Sequence, residues 1–187
     1  MRINNLAPIP YKQVSFDEEE MIKRSESYFQ FMDKRRSVRD FSDKAVPVEI
    51  INNILKTAST APSGAHKQPW VFCVISNAEL KNKIRELAEE EEKKNYAGRM
   101  SERWIQDLLP LGTDDVKEFI EIAPWIIVVM KKSYDFDSAG KKMNNYYVNE
   151  SVGIASGLLI SAIHNAGLVT LTHTPSPMNF ISKALNR

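Results

Sequence analysis

A chain of 187 residues with 43% hydrophobic content is long enough for one domain with a core of its own. Its 25 basic and 24 acidic residues nearly cancel, which argues against nucleic acid or an anionic membrane as partner, and no apolar run reaches the roughly 18–20 residues that span a bilayer. A single cysteine, Cys73, excludes an internal disulfide framework and suits a reducing compartment. The opening MRINNLAPIPYKQ has no apolar core of a secretory signal, so a cytoplasmic protein is expected.

Residues 1–14 carry Pro8 and Pro10 and read as an extended arm. Ser15 and Glu18 have the spacing of a capping box, after which Met21, Ile22, Ser25, Tyr28, Phe29 and Met32 mark one face of a helix. The helix ends in Lys34, Arg35, Arg36, Ser37, Val38 and Arg39. Such a run serves equally as helix-end cations, as a solvated basic patch, or as a phosphate clamp built on bidentate guanidinium donors. Pro47 suits the first turn of a second helix, with Ile50, Ile51, Ile54, Leu55 and Ala58 at helical spacing and Pro62 as its stop.

The loop Ser63, Gly64, Ala65 is small enough for the main chain to approach a flat or charged ligand, although most such loops only turn the chain. Pro69–Ile75 is a short apolar run with no polar face, which predicts a wholly buried strand in which Cys73 is a small hydrophobe rather than a nucleophile. Asn77 can cap a long helix reaching about Tyr96. Its glutamates Glu89 to Glu92 read mostly as a solvated face, but Glu92 and Tyr96, four apart, share a side. Residues 97–116 set Trp104, Ile105, Leu108 and Leu109 in a segment broken by Gly98, Pro110 and Gly112. A lid that packs over a ligand and a short helix docked permanently on the surface both fit that pattern.

A short helix is expected around Asp114–Glu121, then a second buried strand, Trp125–Met130, opened by Pro124, and a polar loop over 131–145. Tyr147–Ala166 is nearly apolar all round and reads as a helix buried on every side, with the small residues Gly153, Gly157 and Ser161 on one face and Gly167 ending it. A third strand, Leu168–Thr172, runs into His173, Thr174 and Pro175, and a last helix reaches Leu185. Helices alternating with strands predict an α/β or α+β fold with a sheet covered on both sides. His66, His164 and His173 lack metal-ligand spacing, and no dinucleotide-binding, P-loop or nucleophile-elbow motif is present. What remains is an arginine cluster, a small-residue loop and a Thr-Pro turn, parts that suit a planar cofactor bearing a phosphate.

The stretch KRRSVRDFSDKAVPVEIINNILKTASTAPSGAHKQPWVFCVIS resembles the N-terminal half of the nitroreductase superfamily. Together with APSGAHKQPW, EEEEKKNYAGRM, Lys117 and GLVTLTHTPSPMNF it resembles the iodotyrosine deiodinase branch, from about residue 20 to 187. The resemblance implies a nitroreductase-like α+β fold over the whole of 1–187, a central mixed sheet flanked by helices, and a homodimer with FMN at the subunit interface. It implies that Arg35, Arg36, Ser37, Val38 and Arg39 hold the phosphate and ribityl region of FMN. Ser63 and Gly64 then lie beside the flavin and Ala65 beside the substrate, while Thr172, His173 and Thr174 line the other side of the ring, Thr174 reaching N5. Glu92, Tyr96 and Lys117 match the residues that grip substrate. It also implies a C-terminal segment that embraces the partner and adds an arginine near the phosphate; the sequence ends at Arg187, before that segment.

The trio makes independent physical sense. A free amino acid is a zwitterion, so Glu92 can accept from its ammonium, Lys117 can donate to its carboxylate and Tyr96 can bond either end. The leading expectation is therefore FMN-dependent dehalogenation of halotyrosines. Two alternatives stand beside it. One is a general NAD(P)H-dependent nitroreductase or quinone reductase, and the other a flavin- or tyrosine-derivative-binding protein without turnover.

Overall fold

Two antiparallel strands, each too apolar to face water, organise the core of the computed structural model, which describes residues 10–186. The chain divides between Arg35 and Arg36 into two units. In the first, residues 10–17 have no regular structure and α1 runs Glu18–Asp33. Its cap is Asp17, whose carboxylate accepts from Glu20 N, and not the expected Ser15; a carboxylate directly before the first turn also meets the positive end of the helix dipole. The predicted apolar face forms, yet no residue of α1 is buried and Met21, Ile22, Tyr28 and Phe29 are all exposed. Residues 1–9 of the expected arm lie outside the described residues.

The second unit carries α2 (Val48–Ala58), β1 (Trp70–Ile75), α3 (Ala78–Lys94), α4 (Glu102–Leu108), α5 (Phe119–Ile122), β2 (Ile126–Lys131), β3 (Tyr134–Phe136), β4 (Lys142–Asn144), α6 (Val148–Asn165) and α7 (Asn179–Ala184). β1 and β2 pair antiparallel with Phe72 opposite Val129, Cys73 opposite Val128 and Ile75 opposite Ile126. Side chains alternate across this ribbon. Cys73, Ile75, Ile126, Val128 and Met130 pack with Ile84 and Ala88 of α3, Ile120 of α5 and Phe180 and Ile181 of α7. Phe72, Ile127 and Val129 pack on the other face against Ile54 and Ala58 of α2 and Leu159 and Ile163 of α6. Each fully buried aliphatic side chain of this kind stabilises the fold by about 1.5–3 kcal/mol.

The α+β layering agrees with the sequence, and the differences lie in the details. β1 is not wholly buried, since Val71 is exposed at the strand's outer end. The expected third strand, Leu168–Thr172, contributes only a parallel bridge between Thr170 and Ser37, because the segment beside it turns away after Val38 N donates to Thr170 O. The paired strands are thus antiparallel, and the parallel component of the expected mixed sheet is that one bridge. The stretch read as a polar loop holds the β3–β4 hairpin, whose turn is closed by Asp137 Oδ1 accepting from Ala139 N and Lys141 N. The helix expected over Asp114–Glu121 shrinks to α5, because Asp114 Oδ1 accepts from Val116 N and holds that stretch in a turn.

α6 departs most from expectation. Its buried stripe is narrow, Ser151, Ala155, Leu159 and Ile163 at four-residue spacing, while Ile154 is exposed. A Cβ placed on Gly153 or Gly157 would meet nothing within 4 Å. The helix ends as predicted, with Gly167 at φ 74° donating to His164 O while Leu168 N reaches Ile163 O. Among the described residues no helix is long and apolar enough to cross a membrane.

Candidate active site

One side of the second unit opens into a cleft of about 480 Å³, lined by residues far apart in the chain. The Ser37–Thr170 bridge sets Arg39 beside the segment Thr172–Pro175, and Arg39 and those four residues reach the cleft. The last turn of α3 contributes Glu92, and the turn that follows it contributes Tyr96. Asn77 starts that helix by accepting from Leu80 N. At its far end five residues, Asn95–Arg99, widen into a π-turn in which Met100 N reaches Asn95 O. Gly98 sits there at φ 139°, a conformation that only glycine adopts without strain. Asn95, itself buried, donates through Nδ2 to Ser176 O at 3.0 Å and so ties the Thr174–Pro175 turn to α3.

Glu92 and Lys117 face each other across the floor, Nζ to Oε2 at 3.6 Å, with side chains 9% and 4% exposed. Lys117 Nζ also donates to Asp114 O. An ion pair this deep is weak evidence for stability, because desolvation offsets its attraction. Its place in an open cleft with a third polar group points instead to ligand recognition. That third group is Tyr96, whose hydroxyl donates to Thr113 O at 3.1 Å. Burial pushes the Tyr96 phenol above its usual range and the negative charge of Glu92 adds to the effect, so it stays a neutral donor.

His173 is half-buried in the same wall, edge-on to Phe119 with ring centroids 5.5 Å apart. Burial, helped by the cation of Lys117, pushes the imidazole down to about 4. At neutral pH it is uncharged. Met100, Trp104, Leu108 and Val116 supply an apolar rim from the segment expected to be a lid, and Trp104 is 51% exposed there.

Of the residues singled out in the sequence, Arg39, Glu92, Tyr96, Lys117, Thr172, His173 and Thr174 therefore share one cleft. Arg36, Ser37 and Val38 lie next to its wall in sequence, with Ser37 and Val38 engaged to Thr170, but do not line it; Arg35 closes the first unit. Ser63, Gly64 and Ala65 are not part of it. Ser63 Oγ accepts from Gln68 N, and Gly64 N donates to Ser151 Oγ at 3.3 Å. A Cβ on Gly64 would lie 2.8 Å from Tyr147, so its small size is required by packing within the chain. Ala65 is exposed at φ 49°. Sequence reasoning missed Asn95, Phe119 and Glu89. Only Glu89 left a signal, its spacing of three from Glu92.

A cleft with one guanidinium, a row of threonine hydroxyls and a buried acid–base pair, carried on this α+β scaffold, defines a class. The nitroreductase family model matches residues 32–186. The chain belongs to the nitroreductase family, within its iodotyrosine deiodinase branch. It is 60% identical to the iodotyrosine deiodinase of Haliscomenobacter hydrossis over 96% of this chain and 81% of that protein. It is 47% identical to iodotyrosine deiodinase 1 of Homo sapiens over 91% of this chain, and spans only 59% of the human protein. Among solved structures, an oxidised iodotyrosine deiodinase bound to FMN and 3-iodo-L-tyrosine matches with a TM-score of 0.74 at 30% identity, covering 85% of this chain and 80% of that one.

Proposed function

We propose that the chain is an FMN-dependent oxidoreductase that removes halide reductively from halotyrosines. The observation that carries this reading is the buried Glu92–Lys117 pair, set with Tyr96 in the same cleft as Arg39 and Thr172–Thr174. Together these residues present an acceptor, a cation and a neutral hydroxyl to a ligand. That set complements the ammonium and carboxylate of a free amino acid, and the solved relative bound to FMN and 3-iodo-L-tyrosine supports the assignment.

The donor set also suits FMN. Arg35, Arg36, Ser37, Val38 and Arg39 would hold its phosphate and ribityl chain. Thr172, His173 and Thr174 would lie along one side of its ring, with the Thr174 hydroxyl donating to N5. Bound FMN would supply the two electrons that, with one proton, convert an aryl halide to arene and halide. The chain's own part is to orient and desolvate: Lys117 and Glu92 fix the amino-acid end, and Trp104, Leu108 and Met100 exclude water from the aryl end.

A homodimer completes this reading. Ser63, Gly64 and Ala65 lie outside the cleft, and the α6 face around Gly153 and Gly157 is uncovered. In a dimer a second copy would bring its Ser63–Ala65 loop to the flavin and substrate, and the α6 faces would pack together. A cytoplasmic setting accords with the single free cysteine.

The deciding experiment is anaerobic reduction of the flavin-loaded protein followed by 3-iodotyrosine. Flavin reoxidation with stoichiometric iodide release is expected. Reoxidation by a nitroarene but not by iodotyrosine would assign the protein to general nitroreductases; reoxidation by neither would leave a binding protein.

A further inference from the structure

One helical turn before Glu92, on the same face of α3, lies a second acid, the half-buried Glu89. Its Oε1 accepts from the main-chain N–H of Lys117 at 2.8 Å and from Arg85 Nε at 2.7 Å. Arg85 reaches on through Nη1 to Glu121 Oε2 at 2.9 Å, which ties α3 to α5. Burial opposes ionisation of Glu89, but the Lys117 N–H and Arg85 together outweigh it and hold the carboxyl below its usual range. Glu89 does not line the cleft, so it does not touch a ligand there.

The geometry gives Lys117 two handles on one helix. Glu92 faces its ammonium, and Glu89 holds its backbone. The second handle matters because residues 113–118 form neither helix nor strand, and the Lys117 N–H has no place in a regular ladder. Without an acceptor at Glu89 the Lys117 main chain loses its hydrogen bond to α3 and is held through its carbonyl, which accepts from Ile120 N, so the distance between ammonium and carboxylate can shift. The two charges of an α-amino acid are separated by a short, fixed span, so a clamp for them tolerates little error.

We propose that Glu89 is a positioning residue that sets the separation of Glu92 and Lys117, and so makes the site discriminate an α-amino-acid zwitterion from an uncharged halophenol. The proposal rests on the clamp described under Proposed function and deepens it.

The test compares the flavin-loaded wild type with Glu89→Ala, Glu89→Asp and Glu89→Gln, titrating the oxidised protein with 3-iodotyrosine and with 2-iodophenol. Glu89→Ala should reduce the preference for iodotyrosine over iodophenol about tenfold, the loss of one charge-assisted hydrogen bond. Glu89→Asp keeps the charge opposite Arg85 but ends one methylene short of Lys117, and carries the same expectation even if Glu89→Ala fails to fold. Glu89→Gln retains a carbonyl for the Lys117 N–H and should restore most of the preference. Amide hydrogen exchange at Lys117 should speed up in the Ala and Asp variants and not in the Gln variant. An unchanged preference, or equal weakening toward both ligands with only a lower Tm, overturns the proposal. Lys117→Ala in the same titration separates two failures. If it weakens iodotyrosine binding while Glu89→Ala and Glu89→Asp do not, the positioning role alone falls; if it has no effect either, the clamp falls and the positioning role with it.

Discussion

The two faces of the β1–β2 ribbon are packed with similar aliphatic residues, yet they finish differently at the surface. On the α3 side the buried and half-buried polar groups find partners within the chain. Lys81 Nζ donates to Glu121 O and Ala123 O at 2.7 and 2.8 Å, Arg85 bridges Glu89 and Glu121, and Glu92 faces Lys117. On the α6 side Gly153 and Gly157 face open space, Ile154 is 47% exposed, and Tyr146 and Tyr147 stand out at the helix start. The first is a binding wall finished by one chain. The second is a small-residue surface with apolar neighbours and no cover among the described residues, which accords with the proposed homodimer. The lesson is that a self-sufficient polar wall and an unfinished apolar one can share a single two-stranded ribbon.

The sharpest way to break the comparison is to attack the finished wall. Glu92→Gln and Lys117→Ala should each raise KM for iodotyrosine about 10- to 100-fold, since a hydrogen bond to a charged group contributes about 1.5–3 kcal/mol. Removing one partner of a buried ion pair also destabilises by about 3–5 kcal/mol in general. Because the cleft is open and Lys117 keeps Asp114 O as acceptor, the loss here should lie at the lower end. Urea midpoints measured beside the kinetics separate the two effects, and unchanged KM values in both variants would remove the clamp.

The unfinished side calls for the opposite manipulation. Gly157→Leu adds a side chain whose Cβ would meet no described atom within 4 Å, on a helix whose propensity it improves by up to about 1 kcal/mol. The fold should therefore survive while association is lost, giving a folded monomer in sedimentation. A dimer of undiminished affinity would show that this face is not the interface.

The smallest expected effect sharpens the contrast through pH. The His173 imidazole lies at about 4 in the folded chain, against 6.5 as its ordinary value, because of burial and the nearby Lys117 cation. Between those values the unfolded chain binds a proton that the native chain does not, so stability falls as pH drops from 6.5 to about 4. The slope is at most about 1.4 kcal/mol per pH unit, and no further loss from this group follows below pH 4. His173→Asn should flatten that part of the profile, read as urea midpoints at pH 7 and pH 5. An identical pH profile in the variant would show that His173 ionises equally in both states.

Much of the framework was legible in the residues because it is local. Ile51, Ile54 and Ala58 mark the buried stripe of α2, Asn77 caps α3, Gly167 ends α6, and two short apolar runs between Gly/Pro-rich turns become β1 and β2. Each signal needs only a few neighbouring positions. The hairpin at Tyr134–Asn144 escaped because each strand is three residues long and mostly exposed, so the alternation in Tyr134-Asp135-Phe136 and Lys142-Met143-Asn144 is too short to stand out from a polar loop. The strand read at Leu168–Thr172 was overcalled because an apolar run does not say whether a neighbour runs alongside it.

The site itself belongs to the tertiary structure. Thr170 must bridge to Ser37 before Arg39 can stand beside Thr172–Thr174, and Glu92 meets Lys117 across 25 positions of chain. Among four consecutive glutamates, a spacing of three puts Glu89 and Glu92 on one side of the helix, but nothing local says that this side turns inward. That choice is made by where residues 113–118 pass along α3, and there Glu89 meets a backbone N–H and Glu92 an ammonium while Glu90 remains in solvent. Capping and periodicity are settled within a turn or two of chain. A charge is buried only where a distant partner arrives to compensate its desolvation, and packing alone brings that partner there.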